Sequence, residues 1–275
     1  MFNLFRHSYA QQQNGLVADS VGGHPTAQYA NTMVMAYFSS DSELAIKAII
    51  AFNVWMYAVH ELDVALQACK RNDQTSQDEM LAALDITAAL WIGAEQVEGD
   101  NKSGYMLYNL AEVAGKLFGQ DRGETVVNTR FIDAMNMLQS RAREGSCTNN
   151  TTGYVEFRTI VRRTIGIMTI PLVQMLIHHL LRDGIYGQTA YGLYADSINP
   201  RLEACVRPAA LSWMPSPQEV LGYYQTAYSC LQVTCSDIGS YRHGLYPACK
   251  DKDTPPKIMG YQATTSGVPV SQFGD

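Results

Sequence analysis

Apolar residues recur along this chain at spacings of three and four, the period of a helix lying against a core. The clearest case is Leu107, Leu110, Ala111, Ala114, Leu117 and Phe118, stopped by Gly119. A preceding stripe of Leu81, Leu84, Ala88, Trp91 and Ile92 predicts a helix from Ser76 to about Val97. Ser76-Gln77-Asp78-Glu79 has the capping-box pattern at its start. Upstream, helical patterns run from Thr26 to about Phe38 and from Asp41 or Ser42 to about Lys70. The second is apolar on nearly every side between Leu44 and Val59, which predicts a central helix. Downstream, helices are expected over about 124–143 and 154–182, with a kink at Pro171. They are separated by a polar loop, Gly145–Gly153. Short helices are expected near 186–197 and 201–206, and a last good one from Ser216 to just before Cys235. No strand-type alternation and no internal repeat appear. The pattern predicts an all-α, multi-helix bundle with an irregular, disulfide-stapled C-terminal tail. Its divisions are an N-terminal arm (1–25), a helical domain (26–235) and a tail (236–275).

Composition supports a sizeable core. Of 275 residues, 47% are hydrophobic and only 17% charged. The net charge of −6 argues against a nucleic-acid partner, because no surplus of Lys and Arg exists to displace counterions. The run Leu44–Val59 contains Lys47 and Asn53 and is too short to span a membrane, so no transmembrane segment is expected. Met1–Arg6 lacks the apolar stretch of a signal peptide, so a secreted form is expected to be mature or trimmed.

Cysteine usage bears on compartment. Cys69, Cys147, Cys205, Cys230, Cys235 and Cys249 are even in number and contain no C-x-x-C pair. Three glycosylation sequons, at Asn101, Asn149 and Asn150, fall in polar segments. Together these features favour an oxidised protein that is extracellular, periplasmic or at the cell surface. A cytosolic protein with scattered thiols is the alternative.

No nucleophile elbow, phosphate loop, dinucleotide fingerprint or H-E-x-x-H motif occurs, so no enzymatic activity is expected. Oxygen-rich clusters stand out instead. Tyr57, His60 and Glu61 share one helix face, with Asp63 close by. Asp85 lies beside the buried stripe of the next helix. Tyr105, Tyr108 and Glu112 follow at helical spacing. Phenolate, carboxylate and one imidazole suit a hard cation such as Fe³⁺. Asp85, Tyr108, Glu112, Tyr57, His60 and Asp63 are therefore the candidate ligands, with Asp85 and Tyr108 the leading pair. The alternative is ordinary: tyrosines in the core with a wet tip, and solvated acids. Arg158 and Arg162, at i and i+4, form a candidate anion clamp for carbonate or phosphate. Pairing with acids of neighbouring helices is the other reading.

Several pieces recur in order: Leu84-Asp85, Leu90-Trp91-Ile92-Gly93 with Gln96, Leu107–Glu112, Asn128-Thr129, Met168–Gln174, Tyr228-Ser229-Cys230 and Thr234–Asp237. In these the chain resembles the algal iron-assimilation proteins, the iron-responsive periplasmic proteins of green algae and the phytotransferrins of diatoms. The resemblance spans roughly residues 40–240. It implies capture of ferric iron at the cell surface, with carbonate as synergistic anion. It transfers no ligand set. A structural or adhesive surface glycoprotein that keeps the fold without the metal is the second reading, and self-association is compatible with it.

Overall fold

A computed structural model of the chain describes residues 20–21, 24–25, 29–38, 42–71, 73, 75–121, 123–145, 147, 151–181, 190–198, 217–241 and 246–247. It is an all-α protein. Helix α1 is Tyr29–Phe38, α2 is Ser42–Ala48 and α3 is Trp55–Arg71. A π-helical turn, Ile49–Val54, joins α2 to α3 without a break. Then come α4 (Ser76–Ile92), α5 (Leu107–Leu117), α6 (Val126–Arg143) and the long α7 (Thr151–Leu180). Helix α8 covers 190–198, α9 is Pro217–Leu231 and α10 is Cys235–Ile238. Two minimal antiparallel pairs, β1–β2 (Ser20–Val21 with His24–Pro25) and β3–β4 (Ser240–Tyr241 with Tyr246–Pro247), add no sheet core.

Helices α3 and α4 form the most extensive pair, a hairpin closed by a short turn. Helix α7 is the hub. It packs on α3, α5, α6, α9 and α10, and it is buried almost all round from Gly166 to Ile177. Pro171 sits inside it, and the helix continues through to Leu180 despite the missing N–H. Gly166 lets the turn after α9 approach closely: a Cβ there would lie 2.6 Å from the Gln232 carbonyl oxygen. The core is rich in aromatics, with Phe52, Trp55, Trp91, Phe131, Phe157, Tyr194, Tyr224 and Tyr228 fully buried.

Two continuous stretches, Glu43–Arg71 and Thr152–Leu180, are long and apolar enough to cross a membrane by length and composition. The helix containing Leu44–Val59 runs to Arg71, next to its expected end near Lys70. Protein covers 61% of the apolar window in the first stretch and 83% in the second, as in core helices.

Element ends differ from the pattern where local hydrogen bonds decide them. The capping box at Ser76 does not form. Thr75 is the N-cap, and its side chain makes no cap bond. Asp73 Oδ1 instead accepts from the Thr75 N–H at 3.1 Å and from the Thr75 and Ser76 hydroxyls at 2.9 Å each. Glu79 pairs with Arg71. Helix α4 stops at Gly93 (φ 72°) rather than near Val97. Helix α7 begins at Thr151, so the polar loop is shorter than its composition predicts. A capping box does form at Thr234 and Asp237, across the boundary between the expected last helix and the expected irregular tail.

Cys69, near the end of α3, is bonded to Cys147 after α6, with 5.3 Å between Cα atoms. Cys230 and Cys235 are each disulfide-bonded as well. Cys205, Cys249, Asn149, Asn150, the expected helix at 201–206 and most of the two terminal segments lie outside the described residues.

The Cys69–Cys147 bond closes a loop of 78 residues. In the chain-entropy account such a loop contributes about 4.5 kcal/mol, within a usual range of about 2–5. Replacing both cysteines with Ala should lower the free energy of unfolding by that amount, read from urea melts of oxidised protein. An unchanged midpoint would show that this crosslink does not constrain the unfolded chain.

Candidate functional site

The site is built on a buried polar knot between α4, α5 and α6. Asn128, fully buried on α6, is its centre. Its Oδ1 accepts from Trp91 Nε1 at 2.9 Å. Its Nδ2 donates to the Tyr108 carbonyl oxygen at 3.1 Å and to Glu112 Oε1 at 2.8 Å. Glu112 Oε1 also accepts from the Thr125 N–H at 3.0 Å and the Thr125 hydroxyl at 3.2 Å. The Trp91 ring stacks on Phe131 with centroids 4.4 Å apart. Glu112 is thus enclosed, with no solvent exposure, and anchors the start of α6. It does not line the cleft where Tyr108 ends.

The knot directs the Tyr108 phenol outward. Its hydroxyl donates to Glu124 Oε1 at 2.5 Å and accepts from the Gly99 N–H at 3.1 Å. Glu124 Oε2 accepts from the Thr129 hydroxyl at 3.1 Å. Burial and the Glu124 carboxylate hold the Tyr108 pKa well above the usual phenol value, and the Gly99 N–H offsets part of that. Tyr108 and Glu124 line a cleft of about 390 Å³ with Ile92, Gln96, Glu98 and Asp133. The neighbouring loop is organised by Gln96. Its Nε2 donates to the carbonyls of Val97 (2.8 Å) and Asp100 (2.9 Å) and to Ser103 Oγ (3.2 Å). Gly104 adopts φ 69° against this amide, where a Cβ would collide with the Gln96 side chain.

The remaining candidate ligands do not join Tyr108. Asp85 is exposed on α4 and accepts from Gln139 Nε2 at 2.8 Å, away from this cleft. The expectation of an Asp85–Tyr108 pair is corrected on that ground. Asp85 follows Leu84 in sequence but points off the buried stripe, with Gln139 as its partner. Tyr57, His60 and Asp63 form a separate group on α3. The rings of Tyr57 and His60 stack with centroids 6.0 Å apart. Burial and a hydrogen bond to Glu61 raise the Tyr57 pKa. Burial raises that of Asp63, partly opposed by His60. Tyr105 is 71% exposed at the rim of a second groove of about 380 Å³ between α2, α5 and α7. Among the described residues, no three His, Cys, Asp or Glu side chains converge as a metal site.

The two arginines expected as an anion clamp do not line this cleft. Arg162 is exposed and Arg158 half-buried, and neither makes an ion pair among the described residues. The arginine that matters on this helix is Arg163. With Arg130 of α6 it grips Asp237, whose side chain is 1% exposed. The contacts are 3.0 Å from Arg163 Nη2 and 2.6 Å from Arg130 Nη1 to the same oxygen. Asp237 Oδ2 takes the Thr234 N–H at 2.7 Å. Gln174, fully buried on α7, donates to the Ile238 carbonyl at 2.9 Å and to Gln120 Oε1 at 3.0 Å. Gln120 in turn donates to the carbonyls of Ser236 and Asp237.

Comparison with protein-family models, with curated proteins and with solved structures gives no match.

Asp237 supplies a pH test. Burial pushes its pKa up, but Arg163 and Thr234 outweigh burial, and the carboxyl sits below its ordinary value. Its contribution to stability is therefore complete above the unfolded carboxyl pKa of about 3.9 and lost as pH falls through the lower folded value. Asp237→Asn should cost about 3–5 kcal/mol at neutral pH, since two arginines lose their counter-charge. It should also lose less stability than wild type on acidification. Parallel pH–stability curves, measured by urea melts, would contradict this role.

Proposed function

We propose that this chain is an extracellular, non-enzymatic protein that binds ferric iron in the cleft between Tyr108 and Glu124. The observation that carries the reading is the 2.5 Å hydrogen bond from the Tyr108 phenol to the Glu124 carboxylate. It holds a phenol and a carboxylate oxygen together at the wall of an open cleft, beside Glu98 and Asp133. A phenolate and carboxylates are the oxygen donors a hard trivalent cation prefers. Ferric iron bound here would replace the shared proton, which would pass to solvent, and the Tyr108 and Glu124 oxygens would hold the ion. Three carboxylates around the cleft favour a cation electrostatically. Among the described residues, those that line the cleft include no Lys, Arg or His. The iron reading therefore rests on the protein oxygens of Tyr108, Glu124, Glu98 and Asp133. The ordered resemblance to algal iron-assimilation proteins supports the same class of ligand, and the oxidised cysteines support the compartment.

A structural role at the cell surface is the second reading. It is favoured by the absence, among the described residues, of three converging His, Cys, Asp or Glu side chains.

Ferric titration separates the two. Wild type should develop a visible tyrosinate-to-iron band. Tyr108→Phe should abolish that band and weaken binding by about tenfold or more, and Glu124→Gln should also weaken it. Binding should release protons and weaken as pH falls, because the ligands must lose theirs. An unchanged band in Tyr108→Phe would place iron elsewhere. No iron uptake by wild type would leave the structural reading.

A further inference from the structure

We propose that Asn101 carries an N-linked oligosaccharide, attached before the loop around it folds. This inference rests on the extracellular reading above. Asn101-Lys102-Ser103 is an acceptor sequon, and it falls in the loop between α4 and α5. Asn101 is half-buried there. Its Oδ1 accepts from Lys116 Nζ at 3.0 Å, while its Nδ2 makes no hydrogen bond among the described residues. That nitrogen is the atom a sugar occupies. Two other asparagines of this region differ on both counts. Asn109 and Asn128 lie outside any sequon, and each uses Nδ2 in the fold: Asn109 donates to the Ser103 carbonyl, and Asn128 donates to Tyr108 and Glu112.

The order of events follows from Ser103. Its hydroxyl is the second half of the acceptor signal. In the folded loop that oxygen accepts from the Val97 N–H at 2.9 Å and from Gln96 Nε2 at 3.2 Å. The transferase has to engage a hydroxyl that folding engages for itself, so the sugar goes on first. In the reaction, Asn101 Nδ2 forms a bond to the anomeric carbon of an oligosaccharide carried on a lipid diphosphate. The anomeric carbon–oxygen bond to phosphate breaks, the lipid diphosphate leaves with the electron pair, and the amide loses one proton to a base of the transferase. The product keeps Oδ1 free, so the contact with Lys116 survives glycosylation.

The test uses protein recovered from the cells that make it. Peptide N-glycosidase in heavy-oxygen water converts each glycosylated Asn to a labelled Asp, and peptide mapping reads position 101 apart from 149 and 150. Thiols are mapped on the same sample. A labelled Asp at 101 is the expected result. Unlabelled Asn101 in a protein with oxidised cysteines overturns the site and leaves the compartment standing. Unlabelled Asn101 with free thiols overturns the extracellular reading as well. The order is tested with unglycosylated folded protein, offered to purified oligosaccharyltransferase and its lipid-linked donor beside a peptide spanning residues 97–107. The peptide should be modified and the folded protein should not. Equal modification of both overturns the order.

Discussion

A single buried carboxamide fixes the geometry on which the candidate site depends. Asn128 has no contact with water, so each of its polar atoms must find a partner within the fold. It finds three partners on two other elements: the Trp91 indole of α4, and the Tyr108 carbonyl and Glu112 of α5. A rotation of any of these helices by one position would leave a buried donor or acceptor unmade, at about 1–3 kcal/mol each. Apolar contact between helices tolerates sliding, whereas this set of bonds does not. With the register of α5 set, Tyr108 has one way out of the core. Its phenol emerges beside Glu124, in the turn that Glu112 holds through Thr125.

The C-terminal part is held by the same kind of constraint. Burying the Asp237 carboxylate is costly unless cations and donors surround it. Arg130, Arg163 and Thr234 do so, each from a different element. Gln174 and Gln120 bind the carbonyls of the same short helix. The segment after α9 is therefore fixed on α6 and α7 by directional bonds, together with the buried side chains of Val233, Ile238 and Tyr241. The Cys69–Cys147 bond does the corresponding work at the other end, tying α3 to the chain after α6.

Most of the longer helices are legible in the sequence, as an apolar stripe at helical period or, in the segment leading into α3, as a run apolar on nearly every side. What periodicity leaves open is azimuth, to within one residue, and that is where the site reading went astray. Arg162 and Arg163 are neighbours in sequence, yet one faces solvent and the other a buried carboxylate. Asp85 adjoins the buried Leu84 and still points out. Tyr108 was legible as a half-polar core residue, but its partner Glu124 was not, because it comes from a short turn whose path only tertiary packing decides. Asn128 could have been found from its own chemistry: an amide inside an apolar stripe requires partners. The segment after Ser236 reads as irregular because Gly, Pro and Tyr break the period. Its first turn is ordered by Thr234 and Asp237, the two ends of a four-residue capping signal too short for periodicity to register.

The central claim is that the Asn128 knot positions Tyr108 and Glu124 as a pair of oxygen ligands for a hard cation. The most direct measurement is a crystal structure of the ferric-loaded protein, with iron located by its anomalous scattering. The account predicts a peak bonded to the Tyr108 phenol oxygen and to the Glu124 carboxylate, with Asn128 and Glu112 unmoved beneath them. Iron bonded elsewhere, or loaded crystals with no peak in this cleft, would contradict it.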